Sequence, residues 1–158
     1  MFHGKGLRHF GVELEIDEGG TVNSNAQKLL DIANKDAENL YIKTDGSLDE
    51  GLKLVTHPMT LEYHLNEMPW VEVLRKARSM GYLSHAAGTC GLHVHISRLA
   101  FGCTYEQQEA TITRLRYFIE NFWAGRLRFS RRTQSQMNRR AARDGISLTP
   151  SEQTKHAN

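Results

Sequence analysis

From His9 to Ile16 apolar and polar positions alternate, with Phe10, Val12, Leu14 and Ile16 on one side and Gly11, Glu13 and Glu15 on the other. That period of two predicts a half-buried strand showing two carboxylates. Gly19-Gly20 ends it, and Asn23-Ser24-Asn25 offer N-caps for a helix from about Ala26 to Asp36, with Leu29, Leu30, Ile32 and Ala33 as its apolar stripe. A second strand is expected at Leu40 to Lys43, ending in the turn sequence Thr44-Asp45-Gly46-Ser47. A third, Gly51 to His57, puts Leu52, Leu54 and Thr56 on one face and Lys53, Val55 and His57 on the other, and Pro58 closes it.

The period then lengthens to that of a helix. Leu61, Leu65, Met68, Val71, Leu74 and Ala77 are spaced for a helical stripe up to Met80, with Gly81 as its C-cap and Pro69 dividing a short first piece from the main helix. Thr89 to Ser97 returns to alternation: Leu92, Val94 and Ile96 are predicted to line the core while His93 and His95 face a cleft. A last strong helical pattern, Thr104 to Trp123, carries Ala110, Ile112, Leu115, Phe118, Ile119 and Phe122. Beyond it the chain turns basic, with Arg126, Arg128, Arg131, Arg132, Arg139, Arg140 and Arg143 and no acid among them, and 148–158 reads as a frayed polar tail. Strands and helices in this order define an α+β chain, and 158 residues suit one domain.

Composition narrows the classes. The net charge of +2 is too balanced to point to nucleic acid in bulk, which leaves the Arg126 to Arg143 segment as the feature on which a nucleic-acid-binding reading rests. Cys90 and Cys103 form no disulfide framework and no Cys-x-x-Cys pair, so a reducing, cytoplasmic setting is expected, with Cys90 structural. No apolar run reaches the roughly 20 residues of a membrane helix, and no signal-peptide pattern opens the chain, so no membrane partner is expected.

Two glutamates two apart on one strand repel unless a cation lies between them, or unless both face water, where the repulsion is cheaply screened. Two histidines two apart read equally as a polar strand face or as ligands. Together, Glu13, Glu15, His93 and His95 form a set of oxygen and nitrogen donors suited to Mg²⁺ or Mn²⁺. The arginines add guanidinium forks that fit phosphate. No Walker loop is present, so phosphate binding would run through metal and Arg.

Four segments, Phe10-Gly-Val-Glu-Leu-Glu-Ile16, Lys43-Thr-Asp-Gly-Ser-Leu48, Gly51-Leu-Lys-Leu-Val-Thr-His-Pro58 and Cys90-Gly-Leu-His-Val-His-Ile-Ser97, resemble in this order the amidoligase family, relatives of glutamine synthetase and gamma-glutamylcysteine ligase. Phe129-Ser-Arg-Arg132 is similar to the family as well. The resemblance implies a glutamine-synthetase-like antiparallel sheet with helices on one face. It also implies an ATP-dependent ligase that joins a carboxylate to an amine of a small amino-acid or peptide substrate through an acyl phosphate. On that basis Glu13, Glu15 and His93 would hold Mg²⁺ (or Mn²⁺) and His95 would meet the ATP phosphates. Asp45 and Ser47 would stand near the reacting groups, and Arg131 and Arg132 would contact phosphate.

Two departures from the family matter. Lys53 stands where a metal-binding Glu is usual, a change of two charge units beside a would-be divalent ion. The family's further C-terminal strands have no counterpart after Arg143, so an incomplete sheet with an open edge that invites self-association is expected. Both departures also admit a catalytically inactive relative that binds a nucleotide, peptide or protein.

Overall fold

The computed structural model describes the backbone of residues 1–141 and side chains through Asn138. The chain divides into two compact units, the first Met1–Ala100 and the second beginning at Phe101. The frayed tail expected at 148–158, and Arg143, lie outside the described residues, as do the side chains of Arg139 and Arg140.

The first unit is α+β. Its strands β1 (Phe10–Ile16), β2 (Leu40–Lys43), β3 (Leu52–Thr56) and β4 (Leu92–Ile96) form an open antiparallel sheet in the order β2-β3-β1-β4. The registers Leu14 opposite Leu54, Ile42 opposite Leu54, and Leu14 opposite Leu92 put the aliphatic positions of all four strands on one face. Glu15 opposite Lys53, Lys43 opposite Lys53, and Glu13 opposite His93 put the charged positions on the other.

Helices α1 (Asn23–Ala33), α2 (Leu61–Asn66) and α3 (Trp70–Ser79) complete this unit. Ile16, Leu40, Leu52 and Leu54 from the sheet pack with Leu29 and Ala33 of α1, Val73 and Ala77 of α3, and Met59, Met68 and Tyr82 between elements. Helix α1 begins earlier than the capping pattern predicts: Val22 occupies the N-cap with no side-chain hydrogen bond, so Asn23-Ser24-Asn25 lie in its first turn. Its end is well specified, because the Asn34 side chain accepts from the N–H groups of Asn39 and Leu40 and donates to the Leu40 carbonyl, tying α1 to β2.

Pro69 divides α2 from α3, as its sequence position requires. Met68 and Ala77 of the predicted stripe are buried, while Leu61, Leu65, Val71 and Leu74 are exposed and Val73, outside it, is buried. A second correction concerns β4. Leu92, Val94 and Ile96 are exposed rather than lining the core, because the buried cluster is built from β1, β2 and β3 with the helices of this unit and does not extend over β4.

The second unit holds α4 (Tyr105–Asn121), α5 (Trp123–Ser130) and α6 (Gln134–Ala141), making six α-helices among the described residues. Thr104 and Gln107 form a reciprocal capping box at the start of α4. The predicted apolar stripe of α4 is not its buried face: Gln108 and Thr113 are buried, while Leu115, Phe118 and Phe122 are exposed. Among the described residues no helix is long and apolar enough to cross a membrane.

Candidate functional site

The charged face of the sheet brings Glu13, Glu15, Asp45, Lys53, His93 and His95 together from four separate stretches of sequence. Strand pairing alone does most of this. Glu13 lies directly opposite His93, Glu15 opposite Lys53, and His95 opposite Gly11, whose missing side chain leaves space beside Glu13.

Lys53 is the hub. Its Nζ lies 3.2 Å from Glu15 Oε1 and 3.7 Å from Glu13 Oε2, and it makes a closer ion pair with Asp45 Oδ2. The hydrogen bond to Asp45, offset in part by burial and reinforced by Glu15, raises the Lys53 pKa above its ordinary value. Asp45 is held well below the usual carboxylate range, chiefly by the Lys53 ammonium and then by Ser47, whose N–H and hydroxyl donate to Oδ1 at 2.9 and 2.8 Å. Ser47 therefore orients Asp45. Burial works to raise the Glu13 pKa, but the charges of Lys53 and His95 and the hydrogen bond from His93 bring it below normal. Glu13 also meets both imidazoles, His93 Nδ1 at 3.5 Å from Oε2 and His95 Nε2 at 3.4 Å from Oε1.

Glu15 is fixed from its far side. Its Oε2 accepts from the N–H of Gly91 at 2.5 Å, and a Cβ at residue 91 would lie 3.0 Å from that oxygen and 3.1 Å from His93 Nε2. A glycine before β4 thus lets the backbone close on the carboxylate. Beneath the site stands Asp17, which the alternation pattern passes over as the polar end of a strand. It is 1% exposed, and its carboxylate accepts from the N–H groups of Glu18, Asp49 and Glu50 and from the Thr89 hydroxyl at 2.6 Å. Burial alone would raise its pKa; these four donors lower it to about 2. Asp17 ties together the end of β1, the loop bearing Asp45 and Ser47, and the approach to β4. Gly51 enters the same knot, since a Cβ there would lie 2.3 Å from the Ile16 carbonyl oxygen.

Arg131 and Arg132 belong to the second unit. Arg131 caps α5 with a left-handed backbone at φ 55°, and the N–H of Arg132 donates to Ser130 Oγ. Cys90 is buried and burial pushes its thiol pKa up, in keeping with a structural role, while Cys103 is exposed.

Among the described residues no three His, Cys, Asp or Glu side chains already stand in a metal-holding group. The donor set divides into two ends. Glu15 and Asp45 are engaged by the Lys53 ammonium, which occupies the position of a cation between them. Glu13 with His93 and His95 keeps accessible nitrogen donors, the two imidazoles being 55% and 63% exposed. Lys43, on the same face, lies over the Tyr41 ring; within the cluster itself, histidines aside, three carboxylates against the Lys53 ammonium leave two negative charges. One divalent ion would balance them. Comparison of the chain with protein-family models, curated proteins and solved structures finds no match.

Proposed function

We propose that the chain is an ATP-dependent carboxylate-amine ligase of the glutamine-synthetase-like type, with one divalent metal position kept and a second replaced by Lys53. The observation that carries this reading is the residual double negative charge beside two accessible imidazoles on an open sheet face. Glu13 and His93 would hold Mg²⁺ or Mn²⁺, with His95 turned toward the phosphates of ATP. The ion, when bound, supplies charge neutralisation to the triphosphate.

The remaining parts follow from the chain's own groups. Lys53 holds Glu15 and Asp45 in place without a second ion and offers positive charge close to a bound carboxylate. In the first half-reaction a substrate carboxylate oxygen attacks the γ-phosphorus and the bond to the β-phosphate oxygen breaks, giving an acyl phosphate and ADP. In the second, an amine attacks the acyl carbon, phosphate leaves with the bonding pair and the amine loses a proton, giving an amide or isopeptide bond. Small amino acids or peptides are the substrates this chemistry takes.

Isothermal titration with ATP and Mg²⁺ tests the reading: binding heat is expected, lost in Glu13→Ala and in His93→Ala. Absence of heat in the wild type, or heat untouched by both substitutions, would overturn it. Lys53→Glu restores a fourth carboxylate and is expected to tighten divalent-ion binding by about tenfold or more, since two charge units change within contact distance. The ammonium at the second position also favours a second reading, a relative that binds nucleotide or peptide without turnover. ATP binding with no ADP formed from any carboxylate and amine pair would select it.

A further inference from the structure

Strand β4 has an open edge among the described residues, and that edge is self-complementary. Ser97 N–H donates to the His9 carbonyl and Glu15 N–H to the Gly91 carbonyl, at 2.9 and 3.0 Å, and the same register runs through Gly11 opposite His95 and Glu13 opposite His93. Antiparallel pairs alternate between bonded and non-bonded positions, so His93 and His95 direct their backbone groups to β1. The N–H and C=O groups of Leu92, Val94 and Ile96 therefore point away from the sheet. Their side chains are 56%, 56% and 37% exposed.

We propose that a second copy of this chain pairs with β4 in antiparallel fashion about a two-fold axis at Val94. The sequence Leu-His-Val-His-Ile is a palindrome in chemical type about its centre. With the axis there, Val94 meets the partner's Val94 and Leu92 meets the partner's Ile96, and all six are residues whose backbone groups point outward. Each outward N–H then finds an outward carbonyl, giving six new backbone hydrogen bonds and satisfying an edge that otherwise presents a template for uncontrolled pairing. On the aliphatic face, three exposed side chains from each copy lie side by side. On the charged face, His93 lies opposite the partner's His95 in a non-bonded pair, with Cβ atoms about 5 Å apart. Imidazoles of the second copy thus join the Glu13 cluster. An axis midway between two residues would oppose outward groups to inward ones and imidazole to aliphatic, and an axis at His93 or His95 would set Ile96 or Leu92 opposite a residue outside β4, so Val94 is the centre at which all three outward residues of the strand pair with one another. The contact is isologous, closes on itself and ends at a dimer. It stands independently of the ligase reading.

Sedimentation equilibrium of the full chain from micromolar to near-millimolar concentration is expected to show the mass rising from 18.0 kDa toward twice that value. Val94→Lys sets two ammonium groups across the axis and is expected to weaken the dimer by about tenfold or more while the far-ultraviolet circular dichroism stays native. In a dimer mixed from isotopically labelled and unlabelled wild-type chains, a nuclear Overhauser contact is expected between the Hα of His93 and the Hα of the partner's His95. A wild-type chain that stays monomeric throughout, a dimer lacking that contact, or a natively folded Val94→Lys variant that dimerises as tightly as the wild type would overturn the proposal. Should Val94→Lys fail to fold, the wild-type mass and the Hα contact decide the matter.

Discussion

Asp17 shows how a single residue can serve a site it does not enter. A carboxylate 1% exposed would be costly were it unpartnered, yet four donors from three chain segments converge on it. Its pKa of about 2 lies below the ordinary 3.8, so it contributes stability that is present above about pH 4 and is lost as pH falls through 2. The contribution is on the order of 2 kcal/mol. Chemical denaturation between pH 5 and pH 2, windows set by that shift, is expected to show this loss in the wild type and a flatter profile in Asp17→Asn. The signal in sequence is faint, since an Asp after an alternating run reads as the strand's polar end. Lys53 is the opposite case: a lysine among the alternating positions of its strand is plain in sequence, and the structure sets it against three carboxylates. Lys53→Met is expected to return the Asp45 pKa toward the normal carboxylate range, followed by side-chain carbon chemical shifts against pH, because the ammonium is the main cause of its depression.

At the scale of elements, strands are more legible than helices. β1, β2 and β3 fall within their predicted limits because period-two alternation is short-range and each strand is bounded by Gly, Pro or an Asp-Gly turn. The stripe across 61–77 holds at Met68 and Ala77 and fails at its other four positions. Within α3, Trp70, Val73 and Ala77 fit a helical spacing as well as Val71, Leu74 and Ala77 do, and packing against the core, not the spacing, chose the first set. Val73 is fully buried and Leu74 is 43% exposed. Val73→Ala is expected to cost about 2 kcal/mol and Leu74→Ala well under half of that, compared by urea denaturation midpoints at equal slope.

At the scale of the molecule, every buried member of the main apolar cluster lies between Ile16 and Tyr82, inside the first unit. Residues 1–100 expressed alone are therefore expected to unfold cooperatively on heating, with near-ultraviolet circular dichroism lost in the same transition. A gradual, non-cooperative loss would show that residues after 100 are needed for this core. The edge that β4 leaves open among the described residues belongs to the same scale, since exposure of Leu92, Val94 and Ile96 follows from where the core packs rather than from their own hydrophobicity.

The sequence by itself determined which side chains share a strand face, because alternation is a property of the extended backbone. It thereby determined that Glu13 goes with Glu15 and His93 with His95, and it placed the Asp45 turn between strands. Tertiary structure decided the rest. Antiparallel register set Glu13 against His93 and Glu15 against Lys53, and so made one charged cluster from residues 80 and 38 positions apart in the chain. It also chose Asp17 as the anchor and left β4 at the edge. These are matters of which strand lies beside which, and strand order depends on long-range packing that no local period records.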